Sequence, residues 1–120
     1  MFSFEKVIEI SMLYDFYGPL LTEKQREIMH LYFEDNYSLS EIGDNMNVSR
    51  QAVHDTIKKS EKSLHEYEEK LGLVQKYLEF EKTSNAINII IDELIIKCEK
   101  NEVVIKQLIN IKKLVEEIEN

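Results

Sequence analysis

The chain has 120 residues, of which 43% are hydrophobic, 3 are Gly and 1 is Pro. This length suits one domain, or one small domain with an appendage, and it can bury a core without disulfides. With so few turn-forming residues, long helices are favoured. The formal net charge of −8 argues against indiscriminate binding to nucleic acid, because an acidic surface repels phosphate.

Export and membrane insertion are not indicated. Cys98 is the single cysteine, so no internal disulfide can form, which fits a reducing compartment. The N-terminus has no basic region followed by an apolar stretch and a small-residue cleavage site, so we expect no secretory signal. No apolar run is long enough to span a membrane. We therefore expect a soluble, cytoplasmic protein without membrane insertion.

Two helices are predicted before residue 36. The first covers Phe4–Tyr17 and directs four apolar side chains to the core, which are Val7, Ile8, Leu13 and Phe16. Gly18 and Pro19 end it, because Gly allows a left-handed cap and Pro cannot continue the helix. The second helix begins at Thr22, which forms a capping box with Gln25.

Residues 38–62, SLSEIGDNMNVSRQAVHDTIKKSEK, carry the pattern around which the chain is organised. Ser38 and Glu41 form a capping box at the start of a short helix, and Ser49 caps a second helix. Asn47 lies between them at a position that favours a left-handed residue. Gly43 is small where the two helices cross. The pattern predicts a helix-turn-helix.

The second helix of this motif carries the candidate chemistry. Arg and Gln side chains can pair bidentately with base edges, and Lys side chains can meet phosphates. From Ser49 to Lys62 the local charge is +2, although residues 1–72 together carry −6 and Asp55 lies on the same side of the helix. Such corners also occur purely as packing elements. The candidate nucleic-acid-binding residues are Arg50, Gln51, His54, Lys58, Lys59 and Lys62.

The C-terminal part reads as further helices. The motif's second helix continues for about six turns to Leu71, and the polar stretch 81–85 is the expected joint before the apolar segment Ala86–Cys98. A polar break at 99–102 precedes a last helix with a coiled-coil-like seam. Packing within the chain is one account of this apolar surface, and a homodimer is the preferred one. The candidate dimerisation residues are Ile87, Ile91, Leu94, Val104, Leu108, Ile111, Val115 and Ile118.

No catalytic or cofactor-binding pattern is present in the sequence. His30, His54 and His65 lack metal-ligand spacing, and three scattered glycines cannot form a phosphate-binding loop. We therefore expect a protein that is not an enzyme and that uses no metal or other cofactor.

Residues 13–72 closely resemble the YlxM family of small bacterial helix-turn-helix proteins. Within them, LTEKQREIMHLYFEDNYSLSEIG and VSRQAV also resemble the promoter-reading C-terminal domain of sigma factors. The resemblance implies an all-helical protein encoded beside the signal recognition particle GTPase, which takes part in that pathway or regulates its genes. Together with the apolar pattern of the C-terminal part, it gives an all-α fold with a sigma-factor-like helix-turn-helix head at 1–72 and a helical dimerisation region at 73–120. By similarity to sigma factors, Arg50, Gln51, His54 and Lys58 face DNA.

Two functions follow as hypotheses. The first is a non-enzymatic regulatory protein that binds DNA or RNA as a homodimer and takes part in the signal recognition particle pathway. The second is a protein-interaction module whose head binds the particle's GTPase or its ribonucleoprotein without reading DNA. Salt dependence separates them, because phosphate contacts weaken steeply with salt and apolar protein interfaces do not.

Overall fold

A computed structural model describes residues 4–119, and all of the regular structure in this range is helical. The predicted all-α fold class is confirmed. The chain divides into two compact units, Met1–Val74 and Gln75–Asn120. The helices are α1 (Phe4–Tyr17), a 3-10 turn (Gly18–Leu20), α2 (Glu23–Phe33), α3 (Leu39–Met46), α4 (Arg50–Leu71), α5 (Leu73–Lys97) and α6 (Glu102–Glu119).

The helix starts in the first unit are fixed by the predicted caps. The Thr22 backbone N–H donates to Gln25 Oε1 at 3.0 Å, and the Gln25 N–H donates to Thr22 Oγ1 at 3.2 Å. Ser38 and Glu41 repeat this exchange at 3.1 and 3.0 Å. Ser49 Oγ accepts a backbone N–H bond from the first turn of α4. Each cap satisfies donors that the first helical turn leaves without a partner.

The turn between α3 and α4 has the geometry that its sequence predicts. Asn47 is left-handed, with φ 62° and ψ 40°. The Val48 N–H donates to the Gly43 carbonyl at 3.0 Å. A Cβ added at Gly43 would lie 2.8 Å from the Val48 carbonyl oxygen, so only glycine allows the turn to pack this closely on α3. The helix-turn-helix prediction is confirmed.

The core of the first unit forms where α4 contacts α1, α2 and α3. The prediction that Ile8 points inward is wrong, since its side chain is 46% exposed. It lies on the side of α1 opposite Ile10, Leu13 and Tyr17, which share the buried face through spacings of three and four residues. The buried apolar side chains are Ile10, Leu13, Tyr17, Leu21, Ile28, Met29, Ile42, Val53, Ile57, Leu64 and Val74.

Gly18 ends α1 as predicted, but its backbone is not left-handed. Among the described glycines the positive φ belongs to Gly72, with φ 62° at the C-cap of α4. Gly18 is instead buried against the ring of Tyr14, and the chain continues through the Pro19 turn. The end of α1 is therefore set by proline and by packing, because proline removes the N–H that a further helical turn needs.

The side chain of Tyr17 holds the junction between α4 and α5. Its O–H donates to Glu68 Oε1 at 2.5 Å and accepts from the Leu73 N–H at 3.0 Å. The same Glu68 oxygen accepts from the Val74 N–H at 3.0 Å. Burial first, and then the hydrogen bond to Glu68, raise the pKa of Tyr17 above its usual value of 10.0. The first helix of the chain thus anchors the start of α5.

Replacing Tyr17 with Phe should lower the urea midpoint of unfolding at neutral pH, because the Glu68 carboxylate and the Leu73 N–H both lose the hydroxyl group as a hydrogen-bond partner. The raised pKa means that the folded state holds this proton more tightly than the unfolded state. Its contribution to stability is therefore complete below about pH 10 and is lost as pH rises through the folded pKa. As pH rises above about 10, the free energy of unfolding should fall more for wild type than for Tyr17→Phe. Urea titrations at neutral pH and in this alkaline range measure the difference. Tyr37→Phe is the control, because the Tyr37 hydroxyl forms no hydrogen bond within residues 4–119. Equal pH profiles for wild type and Tyr17→Phe would contradict the role of Tyr17.

The second unit contains most of α5, a short turn and α6. The predicted break at 99–102 is confirmed, since α5 ends at Lys97 and α6 begins at Glu102. Asn101 Oδ1 caps α6 by accepting the Val104 N–H at 3.2 Å. Between the helices, Lys112 Nζ lies 2.8 Å from Asp92 Oδ1. The two helices therefore form an antiparallel hairpin.

The predicted joint at residues 81–85 is wrong, because α5 runs without interruption from Leu73 to Lys97. This stretch, EKTSN, is polar but contains neither Gly nor Pro, so nothing in it breaks the backbone hydrogen bonding of a helix. Ser84 within it is only 2% exposed. A polar interval therefore continues the helix and contributes to its buried side.

Candidate nucleic-acid interface

The first turns of α4 form an exposed surface of mixed basic and polar character. The side chains of all six candidate residues, Arg50, Gln51, His54, Lys58, Lys59 and Lys62, are exposed. The opposite side of the same helix is buried through Val53 and Ile57. The spacing of apolar residues in α4 thus fixes which side chains face solvent.

A groove of about 420 Å³ lies beside this surface, where α2, the start of α3 and α4 meet. Arg50, His54 and Lys58 follow one another at every fourth position along one wall. The start of α3 lies at the groove through Ser38, whose backbone N–H donates to Glu41 Oε1. The remaining lining residues are Tyr32, Leu39 and Ile57. The groove can accept an anionic group such as a phosphate against its basic wall.

Gln51 is engaged by its own helix. Its Nε2 donates to Asp55 Oδ1 at 2.9 Å, and His54 Nδ1 lies 3.6 Å from the same oxygen. The Asp55 side chain is 67% exposed. A base that pairs with the Gln51 amide must therefore replace this bond, and Asp55 presents a negative charge beside the same position.

The basic surface is short. Arg50, Lys59 and Lys62 form no hydrogen bond or ion pair within residues 4–119, so their charges are available to a ligand. One to two turns after Lys62, Glu66 and Glu69 are exposed on the outer side of α4. A polyanion is therefore attracted to the first three to four turns of α4 and repelled beyond them.

This arrangement agrees with what the sequence comparisons find. Residues 4–109 match the model of the UPF0122 family, described as "Putative helix-turn-helix protein, YlxM / p13 like". The chain belongs to the UPF0122 family. The predicted resemblance to YlxM proteins is thereby confirmed.

Individual family members support the assignment. A UPF0122 protein of Geobacillus sp. (strain WCH70) is 46% identical over 115 residues, which are 96% of this chain and 98% of the relative. A UPF0122 protein of Listeria innocua is 51% identical over 79 residues, 66% of this chain and 72% of its own length. One from Geobacillus kaustophilus is 56% identical over 73 residues, 61% and 66% of the two chains. The family is a helix-turn-helix family of bacterial proteins.

Sequence reasoning missed part of this surface. Tyr32, Ser38 and Leu39 complete the groove, but they come from α2 and α3 and only the packed structure places them next to Arg50. The bond between Gln51 and Asp55 could have been expected, because the two residues are four apart on one helix.

The candidate dimerisation residues fall into three groups. Leu94, Ile111 and Ile118 are exposed, at 39%, 44% and 68%. Ile91 and Leu108 are buried inside the hairpin, at 3% and 8%. Ile87, Val104 and Val115 are half-buried. The single chain therefore presents only some of these residues to a partner.

The described residues contain neither a metal-binding cluster nor a membrane-spanning helix. Between residues 4 and 119, no group of three or more His, Cys, Asp and Glu side chains is arranged to hold a metal ion. None of the helices in this range is both long and apolar enough to cross a membrane.

Proposed function

We propose that the chain is a non-enzymatic regulatory protein that binds DNA or RNA through the N-terminal half of α4. The observation that carries this proposal is the basic groove of the helix-turn-helix, where Arg50, His54 and Lys58 line one wall at the outer side of the second helix. A helix-turn-helix places this helix in the major groove, with its first residues at the base edges.

The residues divide by the contacts that they can make. Arg50 and Gln51 begin the helix and can pair with guanine and adenine edges, respectively. Lys58, Lys59 and Lys62 lie further along the helix, where they meet phosphates. His54 lies between these two groups and lines the groove. Phosphate contacts supply affinity, and the two leading residues supply selectivity.

Because the rest of the chain is acidic, we expect tight binding only to nucleic-acid sites that contact the short basic surface of α4. With a net charge of −8, non-specific attraction to a polyanion is weak. Binding by a homodimer through residues 73–120 adds affinity, because two heads spaced by about 34 Å engage successive major-groove faces of one duplex. The link to the signal recognition particle pathway rests on the resemblance to YlxM proteins.

A second candidate function is supported by the acidic residues of α4. Asp55 lies within the reading surface, and Glu66 and Glu69 continue the same outer side. Such a surface suits a head that binds the GTPase of the signal recognition particle, or its ribonucleoprotein, without reading DNA. Charged surfaces of this kind select partners by complementary charge.

Copurification with the tagged full chain, before and after nuclease treatment, tests the two functions. Selection from random pools of duplex DNA and structured RNA then identifies the nucleic acid. Under our proposal, nucleic acid is recovered and its affinity falls steeply between about 50 and 200 mM salt. Recovery of a protein partner that survives nuclease, with no selected nucleic acid, would establish the second function and overturn the first.

Asp55→Asn should strengthen binding to nucleic acid of any sequence by about 3- to 10-fold at low salt, because it removes a negative charge beside the reading residues. Asn retains an oxygen that accepts the bond from Gln51, so the helix surface stays the same. Filter binding measures the affinity for the selected nucleic acid and for one of scrambled sequence, and both affinities should rise. Asp44→Asn in α3 is the matched control for net charge. An affinity unchanged or lowered by Asp55→Asn would contradict the position assigned to Asp55 beside the ligand.

A further inference from the structure

In the second unit, α6 carries an exposed apolar row along one side. Val103, Ile111, Leu114 and Ile118 are 67%, 44%, 59% and 68% exposed. Their positions, together with the uncharged Gln107, follow spacings of three and four residues, which keeps them on one side of a helix. These side chains are not covered by any described part of the chain.

The row on α6 continues onto α5. Ile90 and Leu94 are 56% and 39% exposed, and Leu94 lies three residues after the buried Ile91. Asp92, one residue after Ile91, lies on the other side of α5, because each residue advances by about 100°.

The ion pair between the helices shows which sides correspond. Asp92 forms an ion pair with Lys112. Lys112 and Ile111 follow the buried Leu108 by four and three residues, so they flank it on its two sides. One side of the antiparallel hairpin therefore carries the ion pair, and the other side carries both apolar rows. We call this second side the apolar face; its residues are Ile90, Leu94, Val103, Ile111, Leu114 and Ile118.

We propose that a second copy of this chain binds the apolar face, so that two hairpins form a four-helix bundle about a two-fold axis. This inference rests on the homodimer part of the proposed function and deepens it by assigning the surface. The assignment differs from the seam expected from sequence, because Ile91 and Leu108 belong to the interior of each hairpin. Ile90, Val103 and Leu114 take their place at the interface.

The size of the apolar face supports a dimer. From the exposed fractions, its six side chains present about 600 Å² of surface, the upper end of the largest apolar patch found on monomers. Two such faces, when fully covered by each other, would bury up to about 1,200 Å² together, the lower end of the range of specific protein interfaces. A smaller patch would not support a stable two-fold contact.

The composition of the second unit favours a second copy as the occupant. Ile91 and Leu108 are its buried apolar residues in the range 75–118, so each hairpin alone has a very small core. Two hairpins that share their apolar faces gain the central core typical of a four-helix bundle. Residues 73–120 carry 7 basic and 9 acidic side chains, a net charge of −2, so two copies approach without strong repulsion. All six side chains of the face are uncharged, which suits an interface between identical surfaces.

The test is the oligomeric state of the full chain without nucleic acid, measured by light scattering and sedimentation equilibrium at about 50 μM. Wild type should have twice the chain mass of 14.2 kDa and should keep it at about 1 M NaCl, because apolar burial is not screened by salt. Val103→Glu with Leu114→Glu should give a monomer. The milder pair Val103→Ala with Leu114→Ala should raise the dissociation constant at least about tenfold and removes no buried side chain.

The matched control uses exposed isoleucines away from the apolar face. Ile89 and Ile96 are 60% and 72% exposed and lie on the outer side of α5, so Ile89→Glu with Ile96→Glu should leave the dimer intact. The proposal would be overturned by a monomeric wild type, or by a dimer that neither the double Glu nor the double Ala variant of Val103 and Leu114 disturbs. It would also be overturned if the control variant dissociated as much as these variants do. Such a result would leave binding of nucleic acid by a single head to be decided by substitutions in α4, so the two failures are distinguishable.

Discussion

Glutamate at both Arg50 and Lys62 should lower the affinity for the selected nucleic acid by at least about 100-fold, or about 3 kcal/mol, at moderate salt. Each substitution removes a cation that can contact the ligand and adds an anion that repels phosphate. Both side chains are exposed, so the fold should be retained. The slope of log affinity against log salt should also become shallower by about one, because the phosphate contact of Lys62 is lost. Titrations at several salt concentrations measure both quantities.

The control for this variant is Lys106→Glu with Lys113→Glu. These lysines are exposed on α6, and the double substitution changes the net charge of the chain by the same amount. If the control weakens binding equally, the effect belongs to the charge of the whole protein and not to the surface of α4. If the Arg50 and Lys62 variant binds as wild type does, α4 is not the nucleic-acid interface.

Gly43→Val should destabilise the first unit by about 3 kcal/mol, which corresponds to a fall of more than about 10 °C in its melting temperature. A Cβ at this position would lie 2.8 Å from the Val48 carbonyl oxygen. Because the obstructing atom belongs to the backbone of the turn, α3 and α4 must separate to relieve the contact. Thermal and urea unfolding followed by circular dichroism measure the loss.

Asn45→Val is the matched control, since it introduces the same side chain at an exposed position of the same helix. Asn and Val have similar helix propensities, so this variant should unfold within about 0.5 kcal/mol of wild type. A Gly43→Val protein as stable as the control would mean that the turn is more adaptable than its geometry indicates. The separation of the helices should also weaken ligand binding, because the groove depends on their approach.

The helix ends of the first unit were predictable because they are local. A capping side chain forms a hydrogen bond with a backbone group three residues away. Thr22, Ser38 and Ser49 therefore predict helix starts without any tertiary contact. The left-handed Asn47 follows from the same short-range chemistry. Predictions based on polarity alone were less successful. The stretch 81–85 is polar, yet it lies inside α5, because polarity does not interrupt a helix when Gly and Pro are absent.

In the candidate site, too, some features follow from the local sequence and others require the tertiary structure. The exposed positions of Arg50, Gln51 and Lys58 follow from the 3.6-residue period of α4, which buries Val53 and Ile57 on the other side. The groove beside them could not be read from the period of one helix. It needs Tyr32 from α2 and Ser38 from the start of α3, and these residues meet Arg50 only through the packing of three helices.

By itself, the sequence determined the all-α class, the capped helix starts and the helix-turn-helix, because each depends on interactions between residues a few positions apart. It determined the family through its similarity to other chains. Only the tertiary structure decided that Tyr17 anchors the start of α5 through Glu68 and the Leu73 backbone, about fifty residues further along the chain. Likewise, the apolar residues of α5 and α6 divide between the interior of the hairpin and its surface only when the two helices are paired. Their periodicity defines the apolar sides of each helix, but the register of the hairpin determines which of those side chains are covered.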